Sequence, residues 1–349
     1  MSTEQTDTRP ATGDSVDTAA YAGRQFAMRD HYEVGREKVR EFARAVRNKH
    51  GAHHFEPDAR KLGYEGVLAP PTFSSVIGMS CTRALLDSVL TEYDLSQVLQ
   101  TDQVFEQHRP IIAGDSLTTA IRIESVRHFG DTDIVQVSFT LTNQRGEVAQ
   151  IGTTTMVARR GAHVDPEMAR AIDGLLIQPE PEGPSPLVEL PAEHVAPSPT
   201  VDPEPQVLHT LPDFDTLAPG TALPPASATL TRGDLVNYAG VSGDPNPIHF
   251  SEHAARLVGL PTVVGHGLLT MGLAADYLTD WAGDPTAVTR FSVRFAGYVP
   301  VGSDVPARID FGGRVKSLDR STRTAAIALT GHHGDRKLFG RALAEIRFA

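Results

Sequence analysis

The chain contains an internal repeat. When it is shifted against itself by 196 residues, positions 36–74 align with positions 232–270 without a gap and share eight identical residues. The identical pairs include His53 with His249 and Gly63 with Gly259. Self-similarity of this kind predicts two copies of one structural unit. A length of 349 residues is enough for two domains of ordinary size.

A proline-rich segment separates the two copies. Residues 161–205 contain ten prolines among Glu, Ser and Ala, with little apolar periodicity, which is typical of a linker. Residues 1–25 are polar and predict a mobile tail. The sequence therefore predicts a tail (1–25), a first domain (26–160), a linker (161–205) and a second domain (206–349).

Each copy has the same order of predicted elements. An amphipathic helix leads into a polar loop, a more apolar helix follows, and strand-like runs rich in β-branched residues come next. The apolar helices are "TFSSVIGMSCTRALLDSVL" and "GLLTMGLAADYLTDWAG", and the strand-like runs include "SLTTAIRIESVRHF" and "RTAAIALTGHH". A central helix wrapped by an antiparallel sheet is an α+β arrangement, the hot-dog layout. The sequence therefore predicts a double hot-dog fold.

Composition and charge exclude several classes of protein. A formal charge of -11 argues against nucleic-acid binding, which needs clustered basic residues. No signal peptide and no apolar run of about 18 residues is found, so we expect a cytoplasmic protein without membrane insertion. The single cysteine, Cys81, excludes an internal disulfide. The pairs His53/His54 and His332/His333 have no third ligand at useful spacing, so we interpret them as exposed loops and expect no metal.

The second copy carries the stretch "GDPNPIHF" at residues 243–250. Prolines on both sides of Asn246 restrict the backbone, and they hold Asp244 and His249 at a fixed separation. A carboxyl group and an imidazole held in this way suit acid–base catalysis. Asn246 is expected to hydrogen-bond either the loop or the thioester end of a substrate.

Several motifs resemble one enzyme family. "GDPNPIH" followed by "GHGLLTMG" resembles the signature of the MaoC-like (R)-specific enoyl hydratases and dehydratases. More narrowly, "LTRGDLVNYAGVSGDPNPIHF", "FSVRFAGYVPV" and "GRVKSLD" are similar to HadB, the catalytic subunit of the (3R)-hydroxyacyl-ACP dehydratase of mycolic-acid-type elongation. In the first copy, "DHYEVGREKVREFARAV", "KLGYEGVLAP" and "RPIIAGD" are similar to its substrate-binding partner, HadA. The chain therefore resembles a natural fusion of the two subunits, a pseudo-dimer in one chain, and leaves a further homodimer open.

The resemblance implies a reversible dehydration of (3R)-hydroxyacyl thioesters in type II fatty acid or mycolic-acid-type elongation. It implies no cofactor and a thioester substrate on acyl carrier protein (ACP) or CoA, with a preference for long ACP-linked chains. The alternative is an (R)-specific enoyl-CoA hydratase of β-oxidation or polyester supply. We assign the C2 proton to His249 and the leaving hydroxyl to Asp244, although these roles could be exchanged.

Further candidate residues lie on the two apolar helices. Gly267 opens the second of them, and its backbone N–H is expected to stabilise the charge that develops on the thioester oxygen. Leu268 would add a second N–H, and Thr270 would line the pocket or bond along the helix. In the first copy, Ser75 and Gly78 are expected to line the path of a long acyl chain.

The first copy lacks parts of the predicted site. Asn48 aligns with Asp244, and Pro71, which has no backbone N–H, aligns with Gly267. The first loop also lacks the two prolines, so we expect it to be looser. The first copy is therefore predicted to bind the acyl chain without catalysis.

Two other functions stay open beside this interpretation. A hot-dog thioesterase would attack the carbonyl carbon with water, but the proline-flanked loop belongs to the hydratases. A non-catalytic acyl-binding protein would not need the intact set of Asp244, His249 and Gly267.

His266, beside Gly267, is interpreted as structural. The basic residues of the first helix form either a solvated face or a docking surface for an acidic carrier protein; they are Arg36, Lys38, Arg40, Arg44, Arg47 and Lys49.

Overall fold

The helices lie at matching places in the two halves of the chain. The computed structural model describes residues 17–93, 98–160, 184–200 and 207–349. The helices of the first half are α1 (Arg36–Ala45), α2 (Glu56–Lys61) and α3 (Ser75–Ser88). Those of the second half are α4 (Arg232–Ser242), α5 (Glu252–Leu257) and α6 (Gly267–Ala282). Helices α4 and α5 begin 196 residues after α1 and α2, as the repeat predicts.

The strands form two groups on either side of the proline-rich segment. The first group contains β1 (Gln25–Met28), β2 (Tyr32–Glu33), β3 (Val98–Gln107), β4 (Ser116–Phe129), β5 (Thr132–Thr142), β6 (Val148–Arg159) and β7 (Leu187–Leu190). The second group contains β8 (Ala222–Leu230), β9 (Val288–Phe295), β10 (Ala307–Asp319), β11 (Thr324–His333), β12 (Arg336–Lys337) and β13 (Phe339–Arg347).

The strands pair into one antiparallel sheet that crosses both halves. The order is β7-β1-β4-β5-β6-β3-β9-β13-β11-β10-β8, with β2 beside β4 and β12 beside β11. The halves join where β3 pairs with β9. Ion pairs Asp102–Arg294 (2.9 Å) and Glu106–Arg290 (3.3 Å) lie across this joint. Each half is one hot-dog unit, so the predicted α+β double hot-dog fold is confirmed.

The sheet curves around the central helices α3 and α6 and covers their apolar surfaces. Strand β4 alternates buried residues with exposed ones, and its buried set includes Leu117, Ile121 and Ile123. Helix α6 is apolar on nearly all sides and buries 12 of its 16 residues, so it needs cover from every direction. Among the described residues, no helix is long and apolar enough to cross a membrane.

The two halves meet along a tightly packed surface, here called the seam. A Cβ at Gly272 of α6 would lie only 2.5 Å from Cγ1 of Val46, so the close approach requires glycine there. Arg47 and Asp234 form an ion pair across the seam at 2.9 Å. The central helix of one half therefore contacts the polar loop region of the other.

Two predicted boundaries differ from the structure. Part of the predicted tail is packed, because the Thr18 hydroxyl donates to Asp133 at 2.7 Å and β1 begins at Gln25. Part of the predicted linker is a strand, because β7 pairs with β1 and extends the edge of the sheet. The rest of the tail, residues 1–16, and linker residues 161–183 and 201–205 lie outside the described residues.

Candidate active site

Helix α4 has clear start and stop signals, and it positions the first candidate residue. At its start, the Thr231 hydroxyl accepts the Asp234 N–H at 3.2 Å, and the Asp234 carboxylate accepts the Thr231 N–H at 2.7 Å. This is a capping box. At its end, Gly243 adopts a left-handed conformation with a φ of 75°, which glycine tolerates best. The chain turns there, so Asp244 is the first residue of the loop.

The loop after α4 is held by its own hydrogen bonds. Oδ1 of Asp244 accepts the Asn246 N–H at 3.1 Å, and Oδ1 of Asn246 accepts the Ile248 N–H at 3.2 Å. The second bond caps a short 3-10 helix, Pro247–His249. Of the two roles predicted for Asn246, its side-chain oxygen fills the loop role.

The loop brings Asp244 and His249 together. Nε2 of His249 lies 3.9 Å from Oδ2 of Asp244, and the side chains are only 10% and 15% exposed, respectively. Nδ1 of His249 lies 2.8 Å from the carbonyl oxygen of Val264, and a carbonyl can only accept, so Nδ1 carries the proton. In the neutral ring, Nε2 therefore has a free lone pair beside the carboxyl group.

The burial of His249 keeps this lone pair available. Burial lowers the pKa of His249 below its usual value of 6.5, and the Asp244 carboxylate and the Val264 carbonyl only partly oppose that effect. The ring is therefore neutral at neutral pH. A neutral imidazole with a fixed tautomer can accept a proton from a bound molecule.

Helix α6 begins beside this pair at Gly267. Its hydrogen-bond ladder starts with the Thr270 N–H, bonded to the His266 carbonyl at 3.1 Å, so the N–H groups of Gly267 and Leu268 have no partner within the helix. A Cβ at Gly267 would lie 3.2 Å from Cε1 of Phe295, so the ring of Phe295 limits the space there. The start of α6 thus offers two backbone donors for an oxyanion.

His266 stacks directly on His249. The ring centroids are 3.7 Å apart at 25°, and the Tyr238 ring lies 4.9 Å from the His266 ring at an angle of 57°. Burial holds the pKa of His266 well below 6.5, and the neighbouring His249 lowers it further. One atom each of Asp244, His249 and His266 lies within 4.8 Å of the others. The sequence interpretation of His266 as merely structural missed this contact.

This group of three could be a metal site by residue type alone, and within the described ranges it is the one such cluster found. The His249 and His266 rings are stacked 3.7 Å apart at 25°. Nδ1 of His249 is already bonded to the Val264 carbonyl, so His249 can offer only Nε2 to a bound molecule.

Two buried hydroxyl groups, one from each half, lie next to the cluster. Burial raises the pKa of Tyr238, the adjacent Ser75 hydroxyl opposes this, and the charge of Asp244 adds to it. In the described part of the chain, neither hydroxyl has a hydrogen-bond partner. Ser75, at the start of α3, therefore reaches the neighbourhood of the second half's site. Its predicted role in lining an acyl path stays a prediction.

The remaining predicted residues have packing roles. The Thr270 hydroxyl donates to the Gly267 carbonyl at 2.7 Å, which is the bond along the helix that the sequence left open. A Cβ at Gly78 would lie 2.7 Å from Cε1 of Phe139, whose ring fills the space beside α3. The role of Gly78 in lining an acyl path stays a prediction.

The first half has a matching loop with different chemistry. Nδ1 of His53 lies 2.7 Å from the Leu68 carbonyl, and Oδ1 of Asn48 accepts the His50 N–H at 3.4 Å. These bonds repeat those of His249 and Asp244. The loop therefore keeps the same turn without the two prolines. Nδ2 of Asn48 and Nε2 of His53 are buried without partners in the described structure.

The two histidine pairs are not the exposed loops that the sequence predicted. His53 is fully buried in the 3-10 helix Gly51–His53, and burial lowers its pKa to about 3. His332 and His333 end strand β11, where Nδ1 of His333 donates to the Arg308 carbonyl at 2.8 Å. The alignment already paired His53 with His249, and that match was the available signal for its burial.

Fold and site together define a double hot-dog protein with an aspartate–histidine site in its second half. Residues 20–151 match the FAS1-like dehydratase domain region, and residues 215–331 match the MaoC-like domain. A solved structure described as a MaoC-like dehydratase is 40% identical, with a TM-score of 0.82, covering 95% of this chain and 99% of that one. The chain belongs to the MaoC-like dehydratase family and is a hydro-lyase of the hydratase/dehydratase class.

Two further relatives have similar sequence or fold. A UPF0336 protein of Saccharopolyspora erythraea is 36% identical over 148 residues, covering 42% of this chain and 94% of that protein. Rv0216 of Mycobacterium tuberculosis, described as having a double hotdog fold, is 14% identical with a TM-score of 0.60, and the match covers 94% of this chain and 96% of that one. The second similarity concerns the fold alone.

Proposed function

We propose that the chain dehydrates (3R)-hydroxyacyl thioesters to trans-2-enoyl thioesters, and that the reaction is reversible. The observation that supports this most is the separation of 3.9 Å between His249 Nε2 and Asp244 Oδ2 beside the uncapped start of α6. A base, an acid and an oxyanion donor are what the elimination of water needs.

In the dehydration direction, His249 Nε2 takes the C2 proton. The electron pair of the C2–H bond forms the C2–C3 double bond, and the C3–O bond breaks. During this step, negative charge builds on the thioester oxygen, and the N–H groups of Gly267 and Leu268 stabilise it. The buried, neutral state of His249 suits the role of base.

Asp244 completes the proton balance. Dehydration starts from the form of the pair in which His249 is neutral and Asp244 carries one proton; the carboxyl group holds the C3 hydroxyl and gives it that proton, so the oxygen leaves as water. The pair then stands as an imidazolium and a carboxylate. Because Nε2 of His249 and Oδ2 of Asp244 are 3.9 Å apart, the proton returns from His249 to Asp244 through a bridging water molecule. In the hydration direction the same steps run backwards.

We also propose a division of labour between the halves, similar to HadA and HadB. The second half carries the catalytic residues, and the first half holds the acyl chain near the start of α3. Ser75 supports this role because it lies beside Tyr238 at the seam. Long ACP-linked chains of type II or mycolic-acid-type elongation are the preferred substrates, and a CoA-dependent hydratase of β-oxidation or polyester supply is the alternative. Enoyl absorbance with crotonyl, dodecenoyl and longer thioesters on CoA and on ACP tests the choice.

The pH dependence of dehydration follows from the burial of His249. Because burial lowers the pKa of His249 below 6.5, its base form persists to lower pH than that of an exposed histidine. We expect kcat/KM to stay level from about pH 8 down to about 6.5 and to fall only below that. Rates of enoyl formation across this range measure it. An acidic limb with its midpoint at about pH 7 or above would contradict the assignment.

The basic face of α1 yields a test of the carrier. Lys38 donates to the Val241 carbonyl, Arg40 to the His54 carbonyl, and Arg47 pairs with Asp234, so these charges serve the fold. The side chains of Arg44 and Lys49 are exposed and form no ion pair with the described residues. These two are the residues to change.

If this face docks an acidic carrier protein, Arg44→Glu with Lys49→Glu should raise KM for acyl-ACP several-fold and leave KM for acyl-CoA unchanged. Added salt should weaken only the ACP reaction of the wild type. Arg314→Glu with Lys316→Glu, on the exposed face of β10, is the matched control. Equal effects on both carriers would show that the face is only solvated.

A further inference from the structure

The ring nitrogens of His266 have no role in the reaction of Asp244 and His249. His266 is 1% exposed, and both ring nitrogens are buried without a hydrogen-bond partner in the described structure. A neutral imidazole has one N–H donor and one acceptor, and leaving a buried polar group unpaired is costly. A phenylalanine would fill the same space without that cost. The nitrogens of His266 are therefore expected to find a partner when a small molecule enters the site.

The geometry defines a place for that partner. One atom each of Asp244, His249 and His266 lies within 4.8 Å of the others. Because none of these atoms is more than 4.8 Å from another, there is a point within about 2.8 Å of all three, which is a normal hydrogen-bond distance for water. A single oxygen atom can therefore contact all three residues at once.

We infer that His266 holds the oxygen that leaves C3 in dehydration and adds to C3 in hydration. The inference rests on the proposed function, because it takes Asp244 and His249 as the reacting pair. The N–H of His266 donates to the C3 oxygen while that oxygen receives its proton from Asp244. In hydration, the bound water donates one hydrogen to Asp244, accepts from His266, and attacks C3 with its other lone pair. The proton passes to Asp244, and C2 takes the proton of His249.

Two contacts fix the ring of His266 for this task. His249 covers one side at a centroid distance of 3.7 Å, and Tyr238 lies 4.9 Å away. His266 is the N-cap residue of α6, and its backbone has a φ of -60° and a ψ of 137°. The side chain is thus held between the oxyanion donors and the acid–base pair. No bond from the protein competes for its nitrogens within the described ranges.

The test compares two substitutions of nearly equal size. His266→Phe keeps an aromatic ring in the stack but removes both nitrogens, whereas His266→Gln loses the stack but keeps an N–H donor. We expect His266→Phe to lower kcat about 10- to 100-fold, with the thioester KM within about threefold of the wild type. His266→Gln should be clearly more active than His266→Phe. Tyr277→Phe removes another buried, unpartnered polar atom of α6 and should keep full activity.

The outcomes separate this inference from the proposed function. If His266→Phe is as active as the wild type, or more active than His266→Gln, the ring only packs and the inference is overturned. If His249→Ala and Asp244→Asn are themselves as active as the wild type, the proposed function fails, and the inference fails with it. Loss in those two variants together with full activity in His266→Phe would overturn the inference alone. Thermal melting of each variant checks that it is folded.

Discussion

Replacing His249 by alanine or Asp244 by asparagine is expected to lower turnover by at least about 10²-fold, because each change removes one partner of the acid–base pair. His249→Ala removes the nitrogen that lies 3.9 Å from the carboxylate. Asp244→Asn replaces the carboxyl group by an amide, which cannot supply a proton to the leaving oxygen. Rates of enoyl formation with a (3R)-hydroxyacyl thioester measure both effects.

The repeat supplies matched controls for both variants. Asparagine fits the loop, because Oδ1 of Asn48 makes the same turn in the first half by accepting the His50 N–H. His249→Ala also removes a bond to the Val264 carbonyl, so His53→Ala, which removes the matching bond to Leu68, is its control. The control should lose stability to a similar extent but keep its activity. Near-normal turnover in either catalytic variant, or equal loss in His53→Ala, would refute the assignment.

Adding the missing acid to the first half is expected to restore nothing. In a chain that carries Asp244→Asn and His249→Ala, Asn48→Asp would recreate the pair of a carboxyl group and His53. The oxyanion donor is still absent, because Pro71 stands in the position of Gly267 and has no N–H. Loss of one such donor alone typically costs about 10²–10³-fold in rate.

Two of the neighbouring backbone donors are already occupied. Before α3 begins, the N–H of Phe73 is bonded to the Pro70 carbonyl at 2.9 Å, and that of Ser75 to the Thr72 carbonyl at 3.1 Å. Asn48→Asp in the otherwise unchanged chain checks folding and should keep the activity of the second half. Measurable dehydration in the triple variant would show that the division of labour between the halves is wrong.

The repeat made much of the fold predictable. An offset of 196 residues places His53 on His249 and also Leu68 on Val264, and the structure contains the same ring-to-carbonyl bond at both places. The long strands with alternating burial, such as β4, were also predictable, because their pattern has a period of two. The offset of the repeat and the alternation of apolar and polar residues in the strands thus predict most of the architecture.

Elements with weak local signals were missed. Strand β8 contains two prolines and several small residues, and it is tolerated because it lies at the edge of the sheet. Strand β3 is largely polar, yet it joins the two halves, because its partners β6 and β9 come from distant parts of the chain. Pairing between distant strands leaves little trace in the sequence of one of them.

In the candidate site too, some contacts could be predicted from the sequence and others could not. Asp244, Asn246 and His249 lie in one short motif, so their proximity could be predicted. The stacking of His266 on His249 and the approach of Ser75 to Tyr238 depend on how α3, α4 and α6 pack at the seam. Such contacts depend on tertiary packing, so spacing alone could not predict them.

The most direct test of the whole account is the enoyl absorbance that the purified chain produces from a (3R)-hydroxyacyl thioester, measured beside the (3S) isomer and the variant with Asp244→Asn and His249→Ala. We expect enoyl formation from the (3R) isomer by the wild type alone, with the (3S) isomer left unchanged and the variant inactive. Absence of enoyl formation by the wild type on every CoA and ACP thioester, or equal rates with the variant, would contradict it.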